Sequence, residues 1–162
     1  MNTRSLQLVL VYLIGSFFLT SCEEPVPLPE AQSVPDMLES VNALRVAGCQ
    51  CGADWMSPVP ALSWSDVLTE AARVHTVDMV VNNFVEHEGK DGKDVGGRLQ
   101  ALGYTYQVAG ENIAQGFGSI KEVVSGWKSS VGHCKNMMDP SYTQMGAAEL
   151  DSYWTQVFAK PQ

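Results

Sequence analysis

The chain has 162 residues, with 18 acidic against 10 basic side chains and a formal net charge of −8. No Lys/Arg cluster stands out, which speaks against a nucleic-acid partner. The acidity suits solubility and mild attraction of cations, and carries no information about fold.

Residues 1–21 read as a leader rather than as part of the fold. Arg4 is the one charge of a short n-region, and Leu6 to Leu19 is an apolar run broken only by Gln7, Gly15 and Ser16. That run is too short for a comfortable membrane span, which needs about 20 apolar residues, and it fits a secretory signal. Its end, Leu19-Thr20-Ser21-Cys22, resembles a bacterial lipobox, in which the Cys is lipidated and becomes the mature N-terminus. Lipid on Cys22 would make the chain anchored rather than secreted, each buried CH₂ contributing about 0.8 kcal/mol. Glu23 rather than Asp after the Cys favours the outer membrane if the source is Gram-negative. Loss of Arg4 with the leader takes the net charge one unit further negative.

Glu23 to Pro35 carries four prolines and no helical period, and is expected to be an extended tether over 22–35. Residues 36–162 remain, enough for one domain with an adequate core, and they contain no internal repeat. Asp36 to Ala47 reads as a first helix, with Met37, Leu38, Val41, Leu44 and Arg45 at spacings of three and four, ended by Gly48. Cys49 to Pro60 is expected to be a loop, with Trp55 and Met56 covering the edge of the core. Ser65 to Asn82 is the clearest helix. His75 lies on its apolar stripe with Leu68, Ala71, Ala72 and Met79, the position of a core histidine rather than a site residue. His87 opens a loop rich in glycine and charge that runs to Gly97, where functional side chains tend to stand.

Val95 to Leu102 reads as a short helix and Tyr104 to Ala109 as a strand. Ser119-Ile120-Lys121-Glu122 has the form of a capping box opening a helix with Val123, Val124 and Trp127 inward, and Gly132 is expected to interrupt it. Met145 to Leu150 and Tyr153 to Phe158, separated by Asp151-Ser152, read as a terminal antiparallel hairpin. Helices on both sides of a small mixed sheet give an α/β sandwich.

Between these elements stands Gly110-Glu111-Asn112-Ile113-Ala114. One acid leading into small and apolar residues suggests an inward carboxylate, which needs a donor, a cation or a proton. Only three histidines exist, and two flank this stretch, His87 upstream and His133 downstream. Two readings follow. In one, His87, Glu111 and His133 meet in a single cleft. In the other, Glu111 is a structural acid held by backbone amides, with the histidines in ordinary polar pockets. Beyond Cys22 the chain keeps Cys49, Cys51 and Cys134, so an exported protein would form one disulfide and leave one thiol. A bond between Cys49 and Cys51 would be strained, so one of them pairs with Cys134.

Taken together, these segments resemble the CAP superfamily, also called SCP-like: cysteine-rich secretory proteins, antigen 5 and plant pathogenesis-related proteins, in its bacterial extracytoplasmic branch. The resemblance rests on Asn42-Ala43-Leu44-Arg45, Leu62-Ser63-Trp64, Ala71-Ala72-Arg73-Val74-His75, Asn83-Phe84-Val85-Glu86-His87, Gly110-Glu111-Asn112-Ile113-Ala114, Gly132-His133-Cys134-Lys135-Asn136 and Tyr153-Trp154-Thr155-Gln156-Val157-Phe158, in this order. It implies a three-layer α-β-α sandwich with a small mixed, mainly antiparallel sheet. It also implies a cleft lined by His87, Glu111 and His133 that often binds a divalent cation, and a Cys51–Cys134 disulfide. Two eukaryotic cleft residues are replaced, by Ser130 and Trp154, so a four-ligand site of that style is absent. Two imidazoles and one carboxylate would suit Zn²⁺ with an open position.

The expected role is an envelope-anchored, monomeric binding module for a divalent cation, a small apolar ligand or a protein partner, more in keeping with the family than catalysis. The alternative is a hydrolase using the same cleft, with a metal-bound water or with Ser130 or Cys134 as nucleophile.

Overall fold

The computed structural model describes residues 31–162. The leader, Cys22 and the first part of the expected tether lie outside that range. The last part of that stretch joins the sheet. Gln32–Ser33 (β1) pairs antiparallel with Glu149 and Ala148, and Ala31 is buried, so the fold starts upstream of the expected boundary at Asp36.

Met37–Ala47 (α1) follows, buries Met37 and Val41, and ends at Gly48, whose φ of +72° suits a residue without Cβ. Cys49–Cys51 (β2) and Asp54–Met56 (β3) then form a small antiparallel hairpin inside the segment expected to be a loop. Three-residue strands are too short to show alternation. Trp55 on β3 is 61 % exposed, so it does not cover the core edge as expected, whereas Met56 packs beside the cysteines.

Ser63–Trp64 (β4) leads into Asp66–Asn82 (α2), where Ser65 Oγ accepts from Leu68 N and Asn83, at φ +50°, closes the helix. Val95–Ala101 (α3) is capped by Asp94, whose Oδ1 accepts from Gly97 N at 2.8 Å. The strand expected over 104–109 is instead Tyr106–Gln115 (β5), running through the whole Gly110 to Ala114 stretch. Ile120–Ser129 (α4) starts with half the expected capping box. Ser119 Oγ accepts from Glu122 N, but Glu122 Oε2 accepts from Gly118 N rather than from Ser119. The break before Val131–Met137 (α5) falls at Ser130, which is extended (φ −90°, ψ 123°), and Gly132 lies inside α5. Gln144–Leu150 (β6) and Tyr153–Pro161 (β7) form the terminal hairpin as expected, turning on Asp151 and Ser152, both at positive φ.

The sheet has the order β1-β6-β7-β5, antiparallel throughout, with β4 pairing parallel to β6. This is the expected α/β class with a mixed, mainly antiparallel sheet between two helical layers. β7 is buried at every position from Tyr153 to Ala159 because both faces are covered. Trp154 and Phe158 meet Met37, Val41, Val123 and Trp127 on one face, and Val157 and Ala159 meet Leu68, Ala71 and Ala72 of α2 on the other. Gly146 permits the close approach of α2. A Cβ there would run into the backbone at Leu68 and Thr69. β5 is left as an outer strand, and it carries Glu111.

Candidate functional site

Successive residues of β5 serve opposite faces of the sheet. Glu111 turns toward α2 and α3. Its side chain is almost wholly buried, at 2 % exposure, and its partners are a guanidinium and an imidazole, not backbone amides. Oε2 is paired with Arg98 Nη2, from α3, and Oε1 accepts from His87 Nδ1 at 2.8 Å. The guanidinium is anchored in turn by the carbonyls of Lys93 and His87, at 2.9 and 3.3 Å. A buried carboxylate so paired avoids most of the cost of desolvation. The alternative of a structural acid bonded to amides is therefore not what the fold contains.

His87 stands at the mouth, with 58 % of its side chain exposed. The Glu111 carboxylate holds its pKa above the ordinary imidazole value, against the smaller opposing effects of partial burial and Arg98. His133, on α5, lines the same cleft together with His87, Glu111, Asn112, Gly132, Lys135, Asn136 and Asp139; the cleft measures about 500 Å³. Burial lowers the His133 pKa, and the nearby His87 lowers it further. The structure thus brings His87, Glu111 and His133 to one cleft. It does not bring their donor atoms into one tight cluster. Among the described residues, the only set of three His, Cys, Asp or Glu donors within 4.8 Å of one another is Cys49, Cys51 and Cys134.

Asn112 turns to the other face and enters a neutral network. Its Nδ2 donates to Gln156 Oε1 at 3.0 Å and to the His133 carbonyl at 3.3 Å, and its Oδ1 accepts from Asn136 Nδ2 at 2.9 Å. Asn136 Nδ2 also reaches the Glu111 carbonyl at 3.1 Å, and Tyr142 OH donates to Asn136 Oδ1 at 3.0 Å. Gly110 leaves the room for this. A Cβ there would collide with the Tyr142 hydroxyl and Asn136. The network ties α5, and so His133, to the exposed edge of β5, which also covers an edge that would otherwise be free to pair. Arg45, fully buried, clamps the far end of α5 by donating to the carbonyls of Met137, Asp139, Pro60 and Tyr142.

Two site residues escape the sequence reading. The ion pair of Arg98 depends on α3 folding back onto β5. His75 is a buried core histidine as expected, yet its Nε2 lies 3.9 Å from Glu111 Oε1. Nε2 lies 2.9 Å from the Glu86 carbonyl, which requires the Nε2–H tautomer and leaves Nδ1 as a buried acceptor without a partner. Burial holds its pKa below the ordinary value, outweighing the pull of Glu111. A clue lay in the spacing. His75 and Glu86 bracket the end of α2, so a histidine on the inner face there is directed at the start of the His87 loop.

The Cys51–Cys134 disulfide is present, with Cα atoms 5.5 Å apart, and joins β2 to α5. Cys49 is the buried free thiol. Closing so long a loop contributes roughly 4–5 kcal/mol in the chain-entropy account. Cys134 Sγ is thereby withdrawn from nucleophilic roles. Ser130 is the residue before α5 and does not line the cleft.

A mixed sandwich with this histidine–carboxylate edge is a CAP domain. The chain belongs to the cysteine-rich secretory protein family, CAP, whose model matches residues 38–158. Two Bacillus subtilis proteins are similar to it. The uncharacterized protein YkwD is 35 % identical over 99 residues, which is 60 % of this chain and 38 % of the relative. The uncharacterized membrane protein YlbC is 35 % identical over 131 residues, 81 % of this chain and 35 % of the relative. The chain thus matches little more than a third of the length of either. Among solved structures, an extracellular SCP-domain protein from Bacillus anthracis is similar with a TM-score of 0.61 at 33 % identity, covering 63 % of this chain and 34 % of that one. An outer surface protein of Borrelia burgdorferi shares the fold, with a TM-score of 0.66 at 15 % identity over 82 % of this chain and 99 % of its own.

Proposed function

We propose that this protein is an exported CAP domain, held at the bacterial envelope through lipid on Cys22, that uses the His87/His133 cleft to bind a divalent cation and, with it, a ligand or partner. The observation that carries this reading is the division of labour around Glu111. Both carboxylate oxygens are engaged from behind, Oε2 by Arg98 and Oε1 by His87 Nδ1. That leaves His87 Nε2 free of Glu111, and both His87 and His133 line the cleft. A carboxylate on the far nitrogen of a ligating imidazole is the common outer arrangement of metal-binding histidines. The donor chemistry therefore fits a borderline cation such as Zn²⁺ on two imidazoles, with Glu111 as the orienting group rather than a direct ligand. Bound metal would supply Lewis acidity and a polarised water. The chain's own contribution is to fix the His87 tautomer and hold His133 at a set position through the Asn112–Asn136 network.

Export is supported by the leader-like N-terminus and by relatives that are extracellular or membrane proteins. The described residues contain no helix long and apolar enough to cross a membrane. A single envelope-tethered domain would act as a monomer, meeting a small apolar ligand or an envelope protein at the cleft. The hydrolase alternative would use the same two imidazoles, His87 and His133, which line one cleft.

Titration calorimetry with Zn²⁺ tests the metal reading. One ion per chain is expected, lost in His87→Ala and in His133→Ala. Glu111→Gln should weaken binding about 10–100-fold without abolishing it, as loss of an outer-shell partner does. No binding by the wild type would overturn the reading, and hydrolysis that disappears together with the metal would promote the alternative.

A further inference from the structure

We propose that reduction of the Cys51–Cys134 disulfide converts the Cys49/Cys51/Cys134 cluster into a buried three-thiolate site for a soft metal ion, Cu(I). Cys49 stands at the start of β2, next to both bridged cysteines. Its Sγ lies 3.9 Å from Cys51 Sγ and 3.8 Å from Cys134 Sγ. A thiol nearly equidistant from both sulfurs sits beside the disulfide, not on its axis. Attack on a disulfide requires approach along the axis, opposite the leaving sulfur, so exchange among the three is disfavoured in the native arrangement. Burial also raises the Cys49 pKa, with Lys128 pulling the other way, which keeps the sulfur protonated and a poor nucleophile.

The same spacing is what a metal needs. Metal–thiolate bonds of about 2.3 Å set three sulfurs about 4.0 Å apart in a trigonal plane. Two of the three separations already stand there. The third opens when the disulfide is cut, and Cα atoms 5.5 Å apart leave the two side chains room to turn. All three cysteines are buried, Cys51 and Cys134 completely, which excludes water as a ligand. Among the described residues the cluster has no fourth His, Cys, Asp or Glu donor, where zinc almost always takes four. Soft sulfur ligands with a coordination number of three suit Cu(I). Met56 and Met138 pack around the cluster and keep its surroundings apolar.

The steps balance. A dithiol reductant supplies two electrons and two protons, the Cys51–Cys134 bond breaks to two thiols, and the dithiol becomes a disulfide. Cu(I) then forms three sulfur bonds and the displaced thiol protons pass to solvent. Copper does not change oxidation state.

The test uses the full chain carrying Cys22→Ser, which removes the only other thiol of the sequence. It is reduced without oxygen and titrated with Cu(I) against a chromophoric chelator, with near-ultraviolet circular dichroism recorded throughout. One Cu(I) per reduced chain with the native dichroism retained, none in the oxidised chain, and at least tenfold weaker binding in Cys49→Ser are expected. Cys49→Ala replaces that variant if Ser at the buried position prevents folding. Equal binding by wild type and variant would make Cys49 a mere core filler and overturn the proposal. No uptake, or uptake only with loss of the native dichroism, would overturn it as well.

Discussion

Glu111 and Asn112 are neighbours on β5, both buried, and each holds together one side of the same cleft. Glu111 does so with charge, through Arg98 and His87. Asn112 does so with amides alone, through Gln156, Asn136 and the His133 carbonyl. The difference separates titration from placement. The Glu111 side sets the protonation of the histidine at the mouth, whereas the Asn112 side fixes where the other histidine stands and has no proton to gain or lose. A strand alternating faces lets two consecutive residues supply both functions.

The charged side of the cleft depends most on Arg98. Arg98→Ala leaves a buried carboxylate with only His87 and the neutral His75 near it. A loss of about 3–5 kcal/mol is expected by urea denaturation at neutral pH. A loss below about 1 kcal/mol, the range of an exposed pair, would mean that the buried ion pair is not what Arg98 contributes. Asn112→Ala is the counterpart on the other face. It strands Gln156 Oε1 and one donor of Asn136, and should cost about 1–3 kcal/mol by the same method. Its loss should be flat with pH, and the His133 resonances should broaden or shift as α5 loosens from β5. Unchanged His133 signals would sink the placement role.

Much of this was legible in the sequence because the signals were local. Helix α2 announces itself by period and by Ser65, the terminal hairpin by Asp151-Ser152, and the pairing of His87 with Glu111 by the family pattern. What was not legible depends on the third dimension. Arg98 lies in a short helix whose sequence gives no sign that its guanidinium folds under the His87 loop. His75 satisfies the description of a core histidine and still stands 3.9 Å from the site acid, since burial and proximity to a site are independent properties. The β2–β3 hairpin is missed because Gly52-Ala53 joins strands too short to alternate, and the end of α4 is misplaced because a glycine draws attention from the extended Ser130 beside it.

The smallest expected effect bears most directly on the charged side. The folded-state pKa of His87 is raised above 6.5, chiefly by its hydrogen bond to Glu111. A raised value means that the folded protein holds the proton more tightly, so this stabilisation is fully present below the unfolded pKa and is lost as pH rises through the folded pKa. His75 has the opposite sign. Its folded pKa is depressed by burial, so stability is lost as pH falls below its unfolded value. The two effects oppose each other across neutrality. Because His87 is 58 % exposed, its share is screened by solvent and should stay below about 1 kcal/mol. Glu111→Gln removes the cause for His87 while leaving His75 buried. In that variant the His87 titration followed by NMR should move down toward the ordinary imidazole value, and the loss of stability on the alkaline side should disappear while that on the acid side persists. If His87 titrates identically in both proteins, the hydrogen bond to Glu111 does not control its proton, and the charged face of β5 reduces to a structural ion pair between Glu111 and Arg98.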